Sequence, residues 1–124
     1  MNKIVCILMV FVSVVSANAA SVSVVQFFDS TTPSGASDNK WVTIPSGCNL
    51  VTVASTDNLN WEGGVGAVIY LPGGGYLTSS IAGGYQMYDT DSLSGQPAGE
   101  YFLSAGGTYI GDSGTAYSGA TITW

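Results

Sequence analysis

Histidine is absent from the 124-residue chain, and cysteine and positive charge are scarce. A chain without imidazole cannot build the histidine-activated nucleophile on which many hydrolases depend. It also lacks the common nitrogen ligand of zinc, copper and haem sites, and two cysteines are too few to replace it. We therefore expect a protein that is not an enzyme and that binds no soft metal ion.

The first 19 residues have the three parts of a secretory signal peptide. Lys3 provides a positive start, residues 4–15 form an apolar run, and Ala17-Asn18-Ala19 has the small side chains that a signal peptidase requires. Because the apolar run is shorter than the roughly 20 residues that cross a bilayer, we expect cleavage before Ala20 and no membrane insertion. Residues 20–124 would then form one domain that is secreted, periplasmic or held at the cell surface.

The expected mature chain is strongly acidic. One lysine and eight acidic residues remain after cleavage, which gives a formal charge of −7. Nucleic acids and anionic membranes are bound through basic side chains, so this charge argues against both as partners. Cys48 is the one cysteine left when Cys6 is removed, which excludes an intramolecular disulfide. Stability must come from packing, from a bound ligand or ion, or from self-association.

Short runs rich in Val, Ile, Tyr, Phe and Thr alternate with clusters of Gly, Pro and Ser. No long apolar pattern keeps helical spacing, so the sequence predicts an all-β fold, an antiparallel β-sandwich. The Pro72-Gly73-Gly74-Gly75 sequence predicts a tight turn between two strands, and Ala105-Gly106-Gly107 predicts another turn. The predicted strands are residues 22–28, 40–44, 50–54, 66–71, 76–81, 85–88, 100–104 and 120–124.

Residues sixty positions apart correspond in several places. In both halves an aromatic residue precedes a glycine by seven positions, Phe28 before Gly35 and Tyr88 before Gly95. This spacing resembles the Greek-key motif of the βγ-crystallins, in which the glycine lets a hairpin fold back over the sheet. The resemblance implies two similar four-stranded Greek-key units packed face to face; an unrelated β-sandwich is the alternative. Further corresponding pairs are Ser34-Gly35 with Ser94-Gly95 and Trp41-Val42 with Tyr101-Phe102.

The same resemblance implies a structural or binding protein stabilised by calcium. Asp57-Asn58 and Asp112 begin the family's calcium-binding pattern but do not complete it, and Asp89 and Asp91 lie two residues apart in a predicted turn. Carboxylates in loops are suitable calcium ligands, although acidic loops can also serve solubility alone. The candidate calcium ligands are Asp57, Asn58, Asp89, Asp91 and Asp112.

Two other functions remain open. Gly47-Cys48-Asn49-Leu50 is similar to a segment of crystallin-like inhibitors, so an extracellular protease is one candidate partner. A glycan, or another copy of the chain, could instead bind to tyrosines that lie close to glycines, which are Tyr76, Tyr85 and Tyr109. We expect such tyrosines to cover glycines within the sheet, and we expect Trp41, Trp61 and Trp124 to belong to the core.

Overall fold

The computed structural model describes residues 20–45, 47, 49–57, 63–82, 87–109 and 114–124. Within them, eight strands form two four-stranded antiparallel sheets, which confirms the predicted all-β sandwich. No helix that could cross a membrane occurs in these ranges. The strands are β1 (Ser21–Phe28), β2 (Ser37–Ile44), β3 (Asn49–Asp57), β4 (Gly63–Tyr70), β5 (Tyr76–Ala82), β6 (Met87–Gln96), β7 (Gly99–Tyr109) and β8 (Ala116–Thr123).

The strand order is that of a jelly roll. The first sheet has the order β1-β8-β3-β6 and the second has β2-β7-β4-β5, so each sheet mixes strands from both halves of the chain. Read in opposite directions, the two sheets place strands that lie four apart in the chain at equivalent positions, for example β1 and β5. The sixty-residue correspondence relates β1 to β6 and β2 to β7 instead. The expected units therefore do not form separate sheets, and the correspondence does not follow the symmetry of the fold.

Alternate side chains of each strand point between the sheets and form two apolar clusters. The larger cluster lies toward the end of the sandwich that holds Ala20 and Trp124, which exchange backbone hydrogen bonds of 2.8 and 2.9 Å. The smaller cluster consists of Phe28, Val65, Ile81 and Ala116. The larger consists of Val24, Ile44, Val51, Val53, Ala67, Ile69, Leu77, Tyr101, Leu103, Ala105, Ala120 and Ile122.

Buried serines separate the two clusters and join the sheets. The Ser55 hydroxyl donates to the carbonyl of Ser79 at 3.2 Å, and the Ser118 hydroxyl donates to the carbonyl of Gly106 at 3.3 Å. Ser55, Ser79 and Ser118 are all fully buried. Since each hydroxyl meets an acceptor, the desolvation cost of burying it is offset, and these bonds favour one alignment of the sheets.

Aspartates protect the sandwich at both of its sides. Asp38 on β2 accepts the backbone N–H of Val25 on β1 at 3.0 Å, and Asp89 on β6 accepts that of Ser80 on β5 at 3.0 Å. All four strands are sheet edges. Charged side chains that turn toward an edge hinder edge-to-edge pairing with other molecules, so both aspartates act against aggregation.

Two local predictions are wrong. Residues 89–92 were predicted as a turn but lie within β6, an edge strand whose exposed position accommodates polar residues. Gly106 and Gly107 were predicted as a turn but lie within β7. A Cβ on Gly107 would lie 2.4 Å from the carbonyl oxygen of Gly64 on neighbouring β4, so the glycine permits a close approach of backbones rather than a chain reversal.

Candidate functional site

Four aromatic side chains lie side by side across the outer face of the second sheet, one on each strand. The strand register places Trp41 opposite Phe102, Phe102 opposite Tyr70, and Tyr70 opposite Tyr76. The successive ring centroids are 4.7, 6.1 and 6.0 Å apart. We term these four residues the aromatic row.

The aromatic row is open to solvent. Trp41 is 67% exposed, Tyr76 64% and Tyr70 50%, while Phe102 is half-buried between its neighbours. Cross-strand aromatic pairs stabilise a sheet, but that role does not require so much of each ring to stay in water. Contiguous exposed apolar surface of this kind is typical of a ligand or partner site.

The rings do not lie in one plane. Adjacent rings are inclined by 40° between Trp41 and Phe102, 31° between Phe102 and Tyr70, and 51° between Tyr70 and Tyr76. Neighbouring strands of a sheet are rotated relative to one another, and side chains in one row across the strands share that rotation. The aromatic row therefore presents a twisted surface rather than a flat one.

The turn between β4 and β5 forms a wall beside the row. The backbone N–H of Leu71 donates to the carbonyl of Gly75 at 2.8 Å, and that of Gly74 donates to the carbonyl of Leu71 at 3.1 Å. Gly74 has a φ of 95°, which favours glycine. An open cleft of about 400 Å³ results, lined by Trp41, Tyr70, Leu71, Pro72, Glu100 and Phe102.

Polar side chains flank the aromatic row on both sides. Glu100 is exposed and lies two residues before Phe102 on β7, so both side chains project from the same face. Asn39 and Ser104 lie on the opposite flank, where the Ser104 hydroxyl donates to Asn39 Oδ1 at 2.5 Å. Asn39 Nδ2 donates in turn to the Ser37 hydroxyl at 3.2 Å. The site thus combines apolar ring faces with a carboxylate, an amide and hydroxyls.

A buried hydrogen-bonding group supports the cleft from beneath. The Tyr101 hydroxyl donates to the carbonyl of Pro97, and Asn49 Nδ2 donates to the same carbonyl at 3.2 Å. Burial raises the pKa of Tyr101, and a hydrogen bond with the Asn49 side chain acts in the opposite direction. These contacts fix the turn between β6 and β7. Glu100 is the second residue of β7 and directly follows this turn.

The arrangement can bind a ligand that is built of rings and carries hydroxyl groups. The aromatic faces can pack against the C–H faces of a sugar ring, while the flanking polar groups can hydrogen bond to its hydroxyls. Glycoside hydrolysis normally uses a pair of carboxylates, and the described lining of the cleft provides one, Glu100.

Of the predicted calcium ligands, Asp89 and Asp91 have described side chains, and each accepts a backbone N–H. Asp89 Oδ2 accepts the Ser80 N–H, and Asp91 Oδ1 accepts the N–H of Ser92 at 2.8 Å. Asp57 was expected in a loop but ends β3, and its side chain, Asn58 and Asp112 lie outside the described residues. Within the described ranges no three His, Cys, Asp or Glu side chains could hold a metal ion together. Calcium binding stays a prediction.

Some of the positions expected for the tryptophans and tyrosines are confirmed, and others are wrong. Trp124 packs against the larger apolar cluster as expected, whereas the core position expected for Trp41 is wrong. Tyr76 is exposed, but Tyr117 does cover a glycine, because a Cβ on Gly119 would lie 2.4 Å from its hydroxyl oxygen. Trp61, Tyr85 and the side chain of Tyr109 lie outside the described residues.

The inhibitor-like segment is described in part. Asn49 is fully buried, so its side chain is committed to the fold, while Leu50 is 44% exposed. Cys48, for which no disulfide partner was expected, lies outside the described residues. Protease inhibition stays a prediction.

No protein-family model matches the sequence, and no curated protein matches it either. The resemblance to the βγ-crystallins is therefore not confirmed.

Solved structures of similar fold include a protein of the disulfide-linked pili that form Bacillus endospore appendages, with 14% identity over 86% of this chain and 88% of that chain and a TM-score of 0.41. TmCBM61, solved in complex with beta-1,4-galactotriose, is 8% identical over 86% of this chain and 87% of that chain, with a TM-score of 0.47. PliG of Aeromonas hydrophila, a periplasmic inhibitor of g-type lysozyme, is 10% identical over 88% of this chain and 89% of that chain, with a TM-score of 0.40. Likenesses at this level assign no function to the chain.

Proposed function

We propose that the mature domain is an exported, non-catalytic module that binds polysaccharide chains along the aromatic row. The observation that carries this proposal is the alignment of four aromatic side chains, one per strand, across an open sheet face. Three of the four rings are at least half exposed. Such rings offer contact area at low cost in side-chain entropy, which suits them to a repeating ligand made of rings.

The length and direction of the row favour a chain over a single sugar. Adjacent strands are spaced by about 4.8 Å, so four strands carry the row over roughly 14 Å. The row begins on β2 and ends on β5, the two edge strands of the second sheet. A bound chain can therefore continue past both ends of the site. The twist of the row supports binding of single flexible chains in preference to a flat crystalline surface.

Two features of the sequence support the non-catalytic and exported parts of this proposal. The chain has no histidine to act as a base, and the signal-like residues 1–19 support export. Extracellular polysaccharides are ligands that an exported domain would meet. The domain would thus attach to a polysaccharide without altering the polysaccharide.

Affinity electrophoresis in gels that contain soluble polysaccharides, with a panel of neutral and amino-bearing chains, tests the proposal. We expect Trp41→Ala to weaken binding at least about tenfold, because Trp41 lines the cleft and a tryptophan buried by a ligand commonly contributes more than about 1.4 kcal/mol. Phe27→Ala is the matched control, since Phe27 is 52% exposed on the outer face of the first sheet. Equal retardation of the two variants, or no retardation by any chain of the panel, would contradict the proposal.

Self-association is a second candidate function, favoured by the outer face of the first sheet. Phe27 and Tyr88 are 52% and 68% exposed there. The described outward positions of its four strands carry no charged side chain, so two acidic molecules could meet on this face with little repulsion. Light scattering at increasing protein concentration tests this, and a constant monomer mass would exclude it.

A further inference from the structure

Glu100 is placed to contact a ligand that is bound in the cleft. It lines the cleft together with Trp41 and Phe102, and the register sets it opposite Thr43, two residues along β2 from Trp41. Diagonal neighbours of this kind lie about 7–8 Å apart, which leaves room for a small group between the carboxylate and the indole ring.

No positive side chain occurs among the described residues that line this cleft. Lys40, the one basic residue of the expected mature chain, precedes Trp41, and successive residues of a strand point to opposite faces. The protein as a whole has a formal charge of −6. Both the local and the overall charge therefore attract cations and repel acidic sugars.

Aromatic faces beside one carboxylate favour an ammonium group. A cation over the face of Trp or Tyr is attracted by the electrons of the ring, and the carboxylate adds a direct ionic contact. On this basis, and resting on the polysaccharide binding proposed above, we infer that the ligand is a polysaccharide with free amino groups. Its amine would lie between Glu100 and Trp41 while its sugar rings follow the aromatic row.

The same chemistry could recognise lysine side chains of a peptide, but the rest of the site favours the sugar. Four rings at nearly regular spacing match a repeating chain of rings, whereas a lysine side chain would engage one or two of them. Asn39 and Ser104, on the other flank, add hydrogen-bonding groups suited to sugar hydroxyls.

Titration calorimetry with glucosamine oligomers and N-acetylglucosamine oligomers of equal length tests the inference. We expect the unmodified protein to bind the free-amine oligomer roughly five- to tenfold more tightly, a modest factor because the carboxylate is exposed. Glu100→Gln should remove this preference, and added salt should reduce it. Asp91→Asn is the matched control, because it removes the same charge from an exposed position on β6 of the other sheet and should keep the preference.

The possible outcomes separate the two proposals. Equal affinity for both oligomers, with binding still lost in Trp41→Ala, would overturn the amine inference and leave polysaccharide binding in place. An equal loss of preference in Glu100→Gln and Asp91→Asn would show general charge attraction and would also overturn it, as would tighter binding of oligolysine than of the amino sugar. Failure of every oligomer and polysaccharide to bind would overturn both.

Discussion

Ser55 of β3 donates a hydrogen bond to the backbone carbonyl of Ser79 in the opposite sheet, 3.2 Å away, although both residues are fully buried. Ser79 in turn donates from its hydroxyl to the carbonyl of Asp89 at 2.9 Å. Together these bonds connect β3, β5 and β6 across the interior. The sandwich is therefore held by directional contacts between its sheets as well as by apolar packing.

Ser55→Ala tests the contribution of this contact. We expect a loss of about 1 kcal/mol in the free energy of unfolding, because the variant removes one buried hydrogen bond and leaves its acceptor less well satisfied. Urea denaturation measures the change. Ser80→Ala, at an exposed position of β5, is the control and should stay within about 0.5 kcal/mol of the unmodified protein. Equal effects of the two substitutions would show that the bond contributes nothing.

Asp89→Ala should loosen the edge of β5. The substitution removes the acceptor of the Ser80 N–H, so we expect faster hydrogen exchange at this amide and a loss of about 0.5–1 kcal/mol in unfolding free energy. Native-state exchange followed by NMR measures the local effect. Asp91→Ala is the control, because Asp91 bonds to the adjacent Ser92 and not to another strand. Unchanged exchange at Ser80 in the Asp89 variant would contradict this role.

The fold could be predicted from the sequence because strand and turn signals are local. Alternating apolar residues identified β1, and Pro72 with the following glycines identified the turn after β4. β6 was not predicted over most of its length, because an edge strand is in contact with water and its sequence reads like a loop. The strand order depends on pairings between distant residues, and no local pattern specifies those.

The candidate site was harder to predict than the fold. Trp41 was expected in the core because tryptophan tends to be buried. Its position between Asn39 and Thr43 in an alternating pattern is the signal that could have shown its outward orientation. Its neighbour Phe102 is 61 residues away in the chain, and Tyr70 and Tyr76 lie between them in sequence. The aromatic row exists only once the register of three strand pairs is set.

Asp29, the first residue of the loop after β1, should make the stability of the folded protein depend on pH. Hydrogen bonds from the hydroxyl and the backbone N–H of Thr31 hold the pKa of Asp29 below its ordinary value of 3.8. A carboxyl whose pKa is lowered by folding contributes stability above 3.8 and loses that contribution as the pH falls through its folded value. We expect the difference in melting temperature between the protein and Asp29→Asn to shrink over this acidic range. A difference independent of pH would contradict the assignment, as would an NMR titration in which Thr31→Val leaves the pKa of Asp29 unchanged.

Gly99 links the fold to the cleft, since it precedes Glu100 and lies against the wall that Pro72 forms. Its φ is 141°, and a Cβ at this position would lie 2.8 Å from Cβ of Pro72. We expect Gly99→Ala to cost about 1–3 kcal/mol of unfolding free energy and to displace the wall, which would weaken ligand binding as well. Gly73→Ala is the control within the same turn, because a Cβ on Gly73 would meet no atom within 4 Å. Chemical denaturation and ligand titration of both variants measure the two effects, and a Gly99 variant as stable as the Gly73 variant would show that Pro72 can move away without cost.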